Sequence, residues 1–63
     1  MFEELLEYYG GDRHAMLYDA NRKSLRSTYD WEIANRIPYP AAVNLVKSGV
    51  PFDIGYLTTG EAE

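Results

Sequence analysis

The chain has 63 residues, of which ten are acidic, six are basic, one is histidine and none is cysteine. A chain this short forms at most one domain and buries only about 60% of the surface that its unfolded form exposes, so we expect a single domain over residues 1–63. Without cysteine it has no disulfide and no thiolate metal site, and such small chains depend on compact helical packing or on oligomerisation.

The apolar content predicts a folded, soluble protein. Hydrophobic residues make up 46% of the chain, more than disordered chains contain. No apolar run approaches the roughly 18 residues of a membrane span, and the start of the chain lacks the basic residues and the long apolar stretch of a secretory signal. We therefore expect a cytoplasmic protein that does not contact a membrane.

The charge is unevenly distributed along the chain. The net charge of −4 argues against nucleic acid as a ligand, because proteins that bind phosphates usually carry a basic balance. Residues 13–36, however, contain five basic and three acidic side chains, for a net charge of +2. The densest basic stretch is Arg22-Lys23-Ser24-Leu25-Arg26, and at a Debye length of about 10 Å a ligand senses that stretch more than distant glutamates.

The first two predicted helices follow from apolar spacing and capping residues. Phe2, Leu5, Leu6 and Tyr9 share one helix face, which Gly10-Gly11 ends. A second helix is capped by Asp12 and ended by Asn21, which enters the left-handed region at modest cost. Its apolar side consists of Ala15, Met16, Leu17 and Ala20.

Ser24 is placed to cap a third helix, which contains Leu25, Thr28, Tyr29, Trp31 and Ile33. Ile37-Pro38-Tyr39-Pro40 cannot continue that helix, because proline lacks the N–H that the helix needs, but both prolines suit the first turn of a fourth helix. The residues that the fourth helix is expected to bury are Ala42, Val43 and Val46, with Leu45 as a further candidate. Gly49 is expected to end it.

The last predicted element is a short helix that Asp53 caps and Gly60 closes, after an extended connection at Val50-Pro51-Phe52. A strand from Val50 to Tyr56 is an alternative, although its proline and Gly55 disfavour it. Glu61-Ala62-Glu63 is expected to fray. The sequence thus predicts an all-α fold, a compact bundle of about five short helices.

No catalytic pattern is present in the sequence, so we expect no enzyme, no cofactor and no metal. His14 is the only histidine, and one imidazole with scattered carboxylates has no recognisable ligand spacing. Neither a nucleophile motif nor a glycine-rich phosphate loop occurs. The remaining class is a binding module.

Two short helices, a turn and a helix with basic and hydroxyl side chains fit a helix-turn-helix. The segment from Asp12 to Arg36 resembles that motif in the lambda-repressor-like, Cro and XRE-type phage regulators. Ser24 to Glu32 looks like the recognition helix with its tryptophan near the end, and Arg36-Ile37-Pro38 with the following helix resembles small Cro-like proteins. Asp53 to Glu61 is similar to the closing helix of phage repressor domains.

The chain departs from the family pattern at three places. The link between the second and third helices is about two residues longer, with Asn21 near the usual turn glycine. Where the family usually has a branched aliphatic residue in the third helix, this chain has Thr28. Tyr29 is expected to fill the space of that aliphatic side chain. Either Ala15 or Ala20 is the small residue at which the recognition helix crosses.

The resemblance implies a DNA-binding site on the third helix. Its predicted residues are Arg22, Lys23, Ser24, Arg26, Ser27, Tyr29, Asp30 and Arg36. Arg26, Ser27 and Asp30 have side chains that can read base edges. Arginine pairs with guanine, and aspartate accepts a hydrogen bond from cytosine N4. Asp30 has the alternative of pairing with Arg26.

The other residues of the predicted site have less specific roles. Arg22, Lys23 and Arg36 suit phosphate contacts, or else they are solvated surface charges. Tyr29 either packs on the second helix or directs its hydroxyl at a phosphate. Trp31 is assigned to the core and not to base stacking.

The resulting hypothesis is a Cro-type transcriptional repressor in the cytoplasm of a bacterial host, which occupies a double-stranded DNA operator without a cofactor. The resemblance implies a homodimer on half-sites roughly 34 Å apart. Its contact is expected near Pro51, Phe52, Tyr56 and Leu57. The alternative is a helix-turn-helix-like phage protein that binds and inhibits a host or phage regulatory protein, since the acidic first helix suits a basic partner surface.

Overall fold

Five α-helices follow one another along the chain in the structure, a computed structural model that describes residues 1–61. They are α1 (Phe2–Tyr8), α2 (Arg13–Asp19), α3 (Leu25–Ala34), α4 (Tyr39–Lys47) and α5 (Ile54–Thr59). The described part of the chain contains no strand, so the all-α prediction is confirmed and the alternative strand is wrong. Ala62 and Glu63, predicted to fray, lie outside the described residues.

Acidic side chains cap the start of two helices, α2 and α5. The Oδ1 atom of Asp12 accepts hydrogen bonds from the backbone N–H groups of His14 and Ala15 at 3.0 and 3.1 Å. Asp53 caps α5 in the same way, because its Oδ2 accepts from the Gly55 N–H at 3.0 Å. Both predicted acidic caps are therefore confirmed.

Ser24 occupies the N-cap position of α3, but its hydroxyl makes no capping hydrogen bond, so this predicted cap is wrong in mechanism. A backbone bond takes that place, since the Ser27 N–H donates to the Ser24 carbonyl at 3.0 Å. At the end of α2 the prediction is confirmed, because Asn21 has a φ of +59°.

The core draws on every helix, and its members are Phe2, Leu5, Met16, Leu17, Ala20, Trp31, Ile37, Ala41, Ala42, Leu45, Val50 and Leu57. α2 packs against both α3 and α4, while α1 contacts α3 and α4 contacts α5. Trp31, at 5% exposure, belongs to this core as predicted. α3 therefore packs on α2 and α1.

The buried face of α4 agrees with the prediction at Ala42 and Leu45 and differs from it at Val43 and Val46. Ala41, Ala42 and Leu45 are fully buried, whereas Val43 is half-buried and Val46 is 40% exposed. Both sets have helical spacing and similar apolarity, so the pattern alone left the rotation of α4 open. Tertiary packing decides it, because α4 buries its two alanines and Leu45 where it packs with α2 and α5.

Candidate nucleic-acid interface

The outward face of α3 carries four exposed side chains, Arg26, Tyr29, Asp30 and Ile33. They recur at i, i+3, i+4 and i+7, which places them along one stripe of the helix. Thr28 and Trp31, on the other side, are buried. We call the four residues the outward face of α3.

Arg13 fixes the position of α3 on α2. Its Nη1 donates to the hydroxyl of buried Thr28 at 3.2 Å and its Nη2 donates to Glu32 Oε1 at 2.7 Å. Its guanidinium carbon lies 4.1 Å from the centre of the Tyr29 ring. Hydrogen bonds, an ion pair and a cation–π contact therefore converge on one side chain and define the rotation of α3.

The role of Arg13 was not predicted from the sequence. Its partners Thr28 and Glu32 lie 15 and 19 residues away, too far for a spacing rule within one helix to reveal them. The single signal available was an arginine at the start of a predicted helix, and such residues are commonly solvated.

Asn35 holds the other end of α3. It has a φ of +54°, which ends the helix, and its Oδ1 accepts a hydrogen bond from the Phe2 N–H at 3.0 Å. Gly60 packs directly on the Asn35 backbone, where no Cβ fits. One residue after Arg36, the Ile37 N–H donates to the Leu57 carbonyl at 2.7 Å. α1 and α5 thus hold the C-terminal end of α3.

The end of α2 is held by α4, which fixes the link to α3. Asn44 Nδ2 donates to the Ala20 carbonyl at 3.1 Å, and the Ser48 hydroxyl donates to the Asp19 carbonyl at 3.4 Å. Helix C-termini leave such carbonyls without intrahelical partners. Of the two alanines, Ala20 is fully buried and Ala15 is half-buried. The link between α2 and α3 has five residues, 20–24.

Most of the predicted site residues lie on or beside the outward face of α3. Arg22, Lys23 and Ser24 are exposed in the link that leads into the helix, and Ser27 is half-buried on α3. Arg36 is exposed just beyond the helix and lines an open cleft with Pro38 and Tyr39. The structure thus groups these residues around one helix.

One detail of the predicted site is wrong, and the alternative pairing of Asp30 with Arg26 does not form in the described residues. Thr28 itself occupies the core position, so Tyr29 does not replace it there and is 48% exposed beneath the Arg13 guanidinium. Arg26 and Asp30 form no ion pair with each other in the described chain, whose salt bridge is the one between Arg13 and Glu32. Both side chains are therefore exposed to a ligand.

Of the residues expected near a dimer contact, Leu57 is fully buried in the core of its own chain. Pro51 is exposed, and Phe52 and Tyr56 are half-buried. These three residues face the open groove described below.

Residues 1–61 contain no group of three potential metal ligands. None of the helices in the described part of the chain is long and apolar enough to cross a membrane.

No family model, curated protein or solved structure matches the chain. What it binds must therefore be inferred from its own side chains and their arrangement.

Proposed function

We propose that this protein is a sequence-specific DNA-binding transcriptional regulator of the Cro type, which places α3 in the major groove. The observation that carries the proposal is the outward face of α3, exposed on a helix that is held at both ends. Arg13 holds its N-terminal half, and Asn35 holds its C-terminal end. A reading helix needs this combination, because flexibility would add an ordering cost to binding.

The outward face has the chemistry to read base edges. Arg26 suits guanine O6 and N7, Asp30 suits the amino group of cytosine, and Ile33, 86% exposed, suits the methyl group of thymine. Ten residues give α3 a length of about 15 Å, enough to span the roughly 12 Å width of the major groove.

Basic residues beside α3 would position the protein without reading sequence. Arg22 and Lys23 precede the helix and Arg36 follows it, so positive charge lies at both ends of the outward face. Arginine and lysine contacts to phosphates fix the register of a protein on the duplex. The Ser24 hydroxyl, which makes no capping bond, is a further phosphate donor.

Titration of the purified chain against duplex DNA at low and moderate salt tests the proposal. We expect binding that weakens steeply with salt, since phosphate contacts release counterions. A dissociation constant weaker than about 10⁻⁴ M at low salt would contradict the proposal, because even non-specific binders do better.

Two matched alanine variants separate reading from positioning. Arg26→Ala should lower discrimination between sequences by about 1–3 kcal/mol, whereas Lys23→Ala should weaken all sequences alike and reduce the salt slope by about 1. If Arg26→Ala weakens binding to the preferred sequence and to random DNA by the same factor, as Lys23→Ala is expected to do, α3 does not read bases.

The resemblance further leads us to include a two-fold homodimer on the operator in the proposal, since a single small module buries little DNA surface. Sedimentation of a mixture with duplex DNA should give two chains per operator.

The alternative from the sequence, inhibition of a regulatory protein, is favoured by one observation. Ile33 and Tyr39 are 86% and 65% exposed, and large exposed apolar side chains are common at protein interfaces. This alternative predicts no DNA binding at low salt, so the same titration decides between the two functions.

A further inference from the structure

A row of aromatic rings lies at an open groove that residues 51–61 line, next to α1. The ring centres of Tyr8 and Phe52 lie 6.2 Å apart and those of Phe52 and Tyr56 lie 6.1 Å apart. Tyr8 is half exposed, while Phe52 and Tyr56 are half-buried. The rings are therefore held in place by packing and still accessible from one side.

The charge at this groove is entirely negative. The lining residues include Pro51, Phe52, Asp53, Tyr56, Thr59 and Glu61, two of them acidic and none basic. A third carboxylate belongs to Glu4, which accepts a hydrogen bond from the Tyr56 hydroxyl. We call this surface the aromatic groove.

Two polar contacts hold the aromatic groove in a fixed arrangement. The bond from Tyr56 to Glu4 joins α5 to α1 across 52 residues of sequence. Asp53 uses Oδ2 to cap α5, and its Oδ1 has no hydrogen-bond partner within residues 1–61. A ligand thus meets fixed rings beside carboxylate oxygens that still accept hydrogen bonds.

Aromatic faces beside carboxylates attract cations. A guanidinium or ammonium group over a ring is favoured by the ring quadrupole, and adjacent acidic side chains add direct electrostatic attraction. Arginine adds planar hydrogen-bond donors that match a carboxylate. Neither an acidic nor a purely apolar segment would satisfy both features.

A second copy of this chain that presents the same groove is a poor occupant. If two grooves face each other across a two-fold axis, each copy brings its own Glu4, Asp53 and Glu61 to the interface. Like charges placed together oppose association, and no basic lining residue is present to compensate them.

We propose that the aromatic groove binds a cationic segment of another protein, with an arginine or lysine side chain over Phe52 and Tyr56 and next to Asp53 and Glu61. The groove shares no residue with the outward face of α3. The proposal therefore does not rest on DNA binding, and either of the two can fail alone.

NMR titration of the full ¹⁵N-labelled chain tests this inference. The probe is an acetylated and amidated peptide of sequence Gly-Arg-Gly-Arg-Gly, and its control has glutamine in place of both arginines. We expect saturable amide shifts at Phe52, Tyr56 and Glu61 with the arginine peptide, at a dissociation constant on the order of 1 mM. The glutamine peptide should leave these amides unchanged.

Two variants sharpen the titration. Glu61→Gln should weaken binding of the arginine peptide about threefold or more, while Glu3→Gln, which removes the same charge from an exposed position outside the groove, should change it much less. Phe52→Leu retains an apolar side chain without a π face, and it should also weaken binding about threefold.

Three outcomes would overturn the inference. The first is an equal effect of Glu3→Gln and Glu61→Gln, which would mean unspecific attraction to an acidic protein. The second is the absence of peptide shifts in the groove. The third is concentration-dependent shifts at Phe52 and Tyr56 without peptide, which would identify a second copy as the occupant.

Discussion

The outward face of α3 and the aromatic groove differ in both charge and support. Basic side chains lie at both ends of α3, whereas the groove has acidic side chains alone among its charged lining residues. α3 is held by hydrogen bonds to α2 and α1, while the groove depends on ring packing, the bond from Tyr56 to Glu4 and the Asp53 cap of α5. The net charge of −4 describes neither surface. A small protein can therefore carry two surfaces of opposite charge.

The largest expected effect is at Gly60, which lies next to the aromatic groove and contacts the end of α3 at Asn35. Its φ is +77°, and an added Cβ would collide with the Asn35 backbone at the end of α3. Gly60→Ala should therefore lower the free energy of unfolding by about 2–4 kcal/mol, through left-handed strain and the collision. Urea denaturation measures the loss.

Gly10→Ala is the matched control for Gly60→Ala. Gly10 has a φ of +64° and open space around its missing Cβ, so strain alone should cost about 1–2 kcal/mol. Equal losses in the two variants would mean that the contact between Gly60 and Asn35 contributes nothing to the stability of either surface.

Arg13→Lys should disturb α3 and spare the groove. Lysine keeps the charge but loses the planar group that reaches Thr28, Glu32 and Tyr29 together. We expect a loss of about 1–2 kcal/mol in unfolding free energy, a modest figure because the Glu32 side chain is 43% exposed.

Arg36→Lys is the control for Arg13→Lys, since Arg36 is exposed, and it should change stability by less than about 0.5 kcal/mol. Peptide binding at the groove should remain unchanged in Arg13→Lys. Weaker peptide binding would show that the two surfaces are coupled through the fold.

Tyr9→Phe tests the connection from α1 to α2 beside the groove. The Tyr9 hydroxyl donates to Asp19 Oδ2 at 2.7 Å, so its removal should cost about 1 kcal/mol near neutral pH. Burial, and then the bond to Asp19, raise the pKa of Tyr9 above its usual value. Tyr8→Phe, at a half-exposed ring, should cost less than about 0.5 kcal/mol.

The stability that Tyr9 contributes should depend on pH at the alkaline end. Above about pH 10 the unfolded chain loses the tyrosine proton while folded Tyr9 retains it, so the native state binds more protons and its stability falls as pH rises. The difference between the wild-type chain and Tyr9→Phe should therefore shrink above pH 10. If the difference in unfolding free energy between the wild-type chain and Tyr9→Phe stays constant up to about pH 11, the raised pKa of Tyr9 is contradicted.

The smallest expected effect compares single acidic residues of the two surfaces. Asp30→Asn removes a negative charge from the outward face of α3, so affinity for random-sequence DNA at low salt should rise about two- to fivefold. Glu61→Gln removes the same charge from the groove and should change affinity less than about twofold. Equal gains would mean that DNA senses the net charge alone.

Local signals predicted the helix ends, while long-range contacts decided the site. Asp12 and Asp53 cap helices through bonds two or three residues away, so sequence revealed them. Arg13 and Asn35 act on residues 15–33 positions distant, and no local pattern encodes such distances. The outward face was predicted at Arg26, Tyr29 and Asp30 from the resemblance.

Two further differences have the same physical origin. Val43 and Val46 matched the spacing of the buried face of α4 as well as Ala41 and Leu45 did, because the helix is apolar on more than one side. The aromatic groove assembles Tyr8 with Phe52 and Tyr56, from opposite ends of the chain. From the sequence, Phe52 and Tyr56 were predicted to form part of an apolar patch, but neither its ring partner Tyr8 nor its acidic rim was predicted.

The bond from Phe2 to Asn35 has a consequence for hydrogen exchange. The first N–H groups of a helix have no intrahelical acceptor and usually exchange rapidly with solvent. The Phe2 N–H instead donates to a side chain 33 residues away, at the end of α3, so separation of α1 from α3 breaks this bond. Its protection factor should therefore approach that of the core helices, which makes one terminal amide a reporter of global opening.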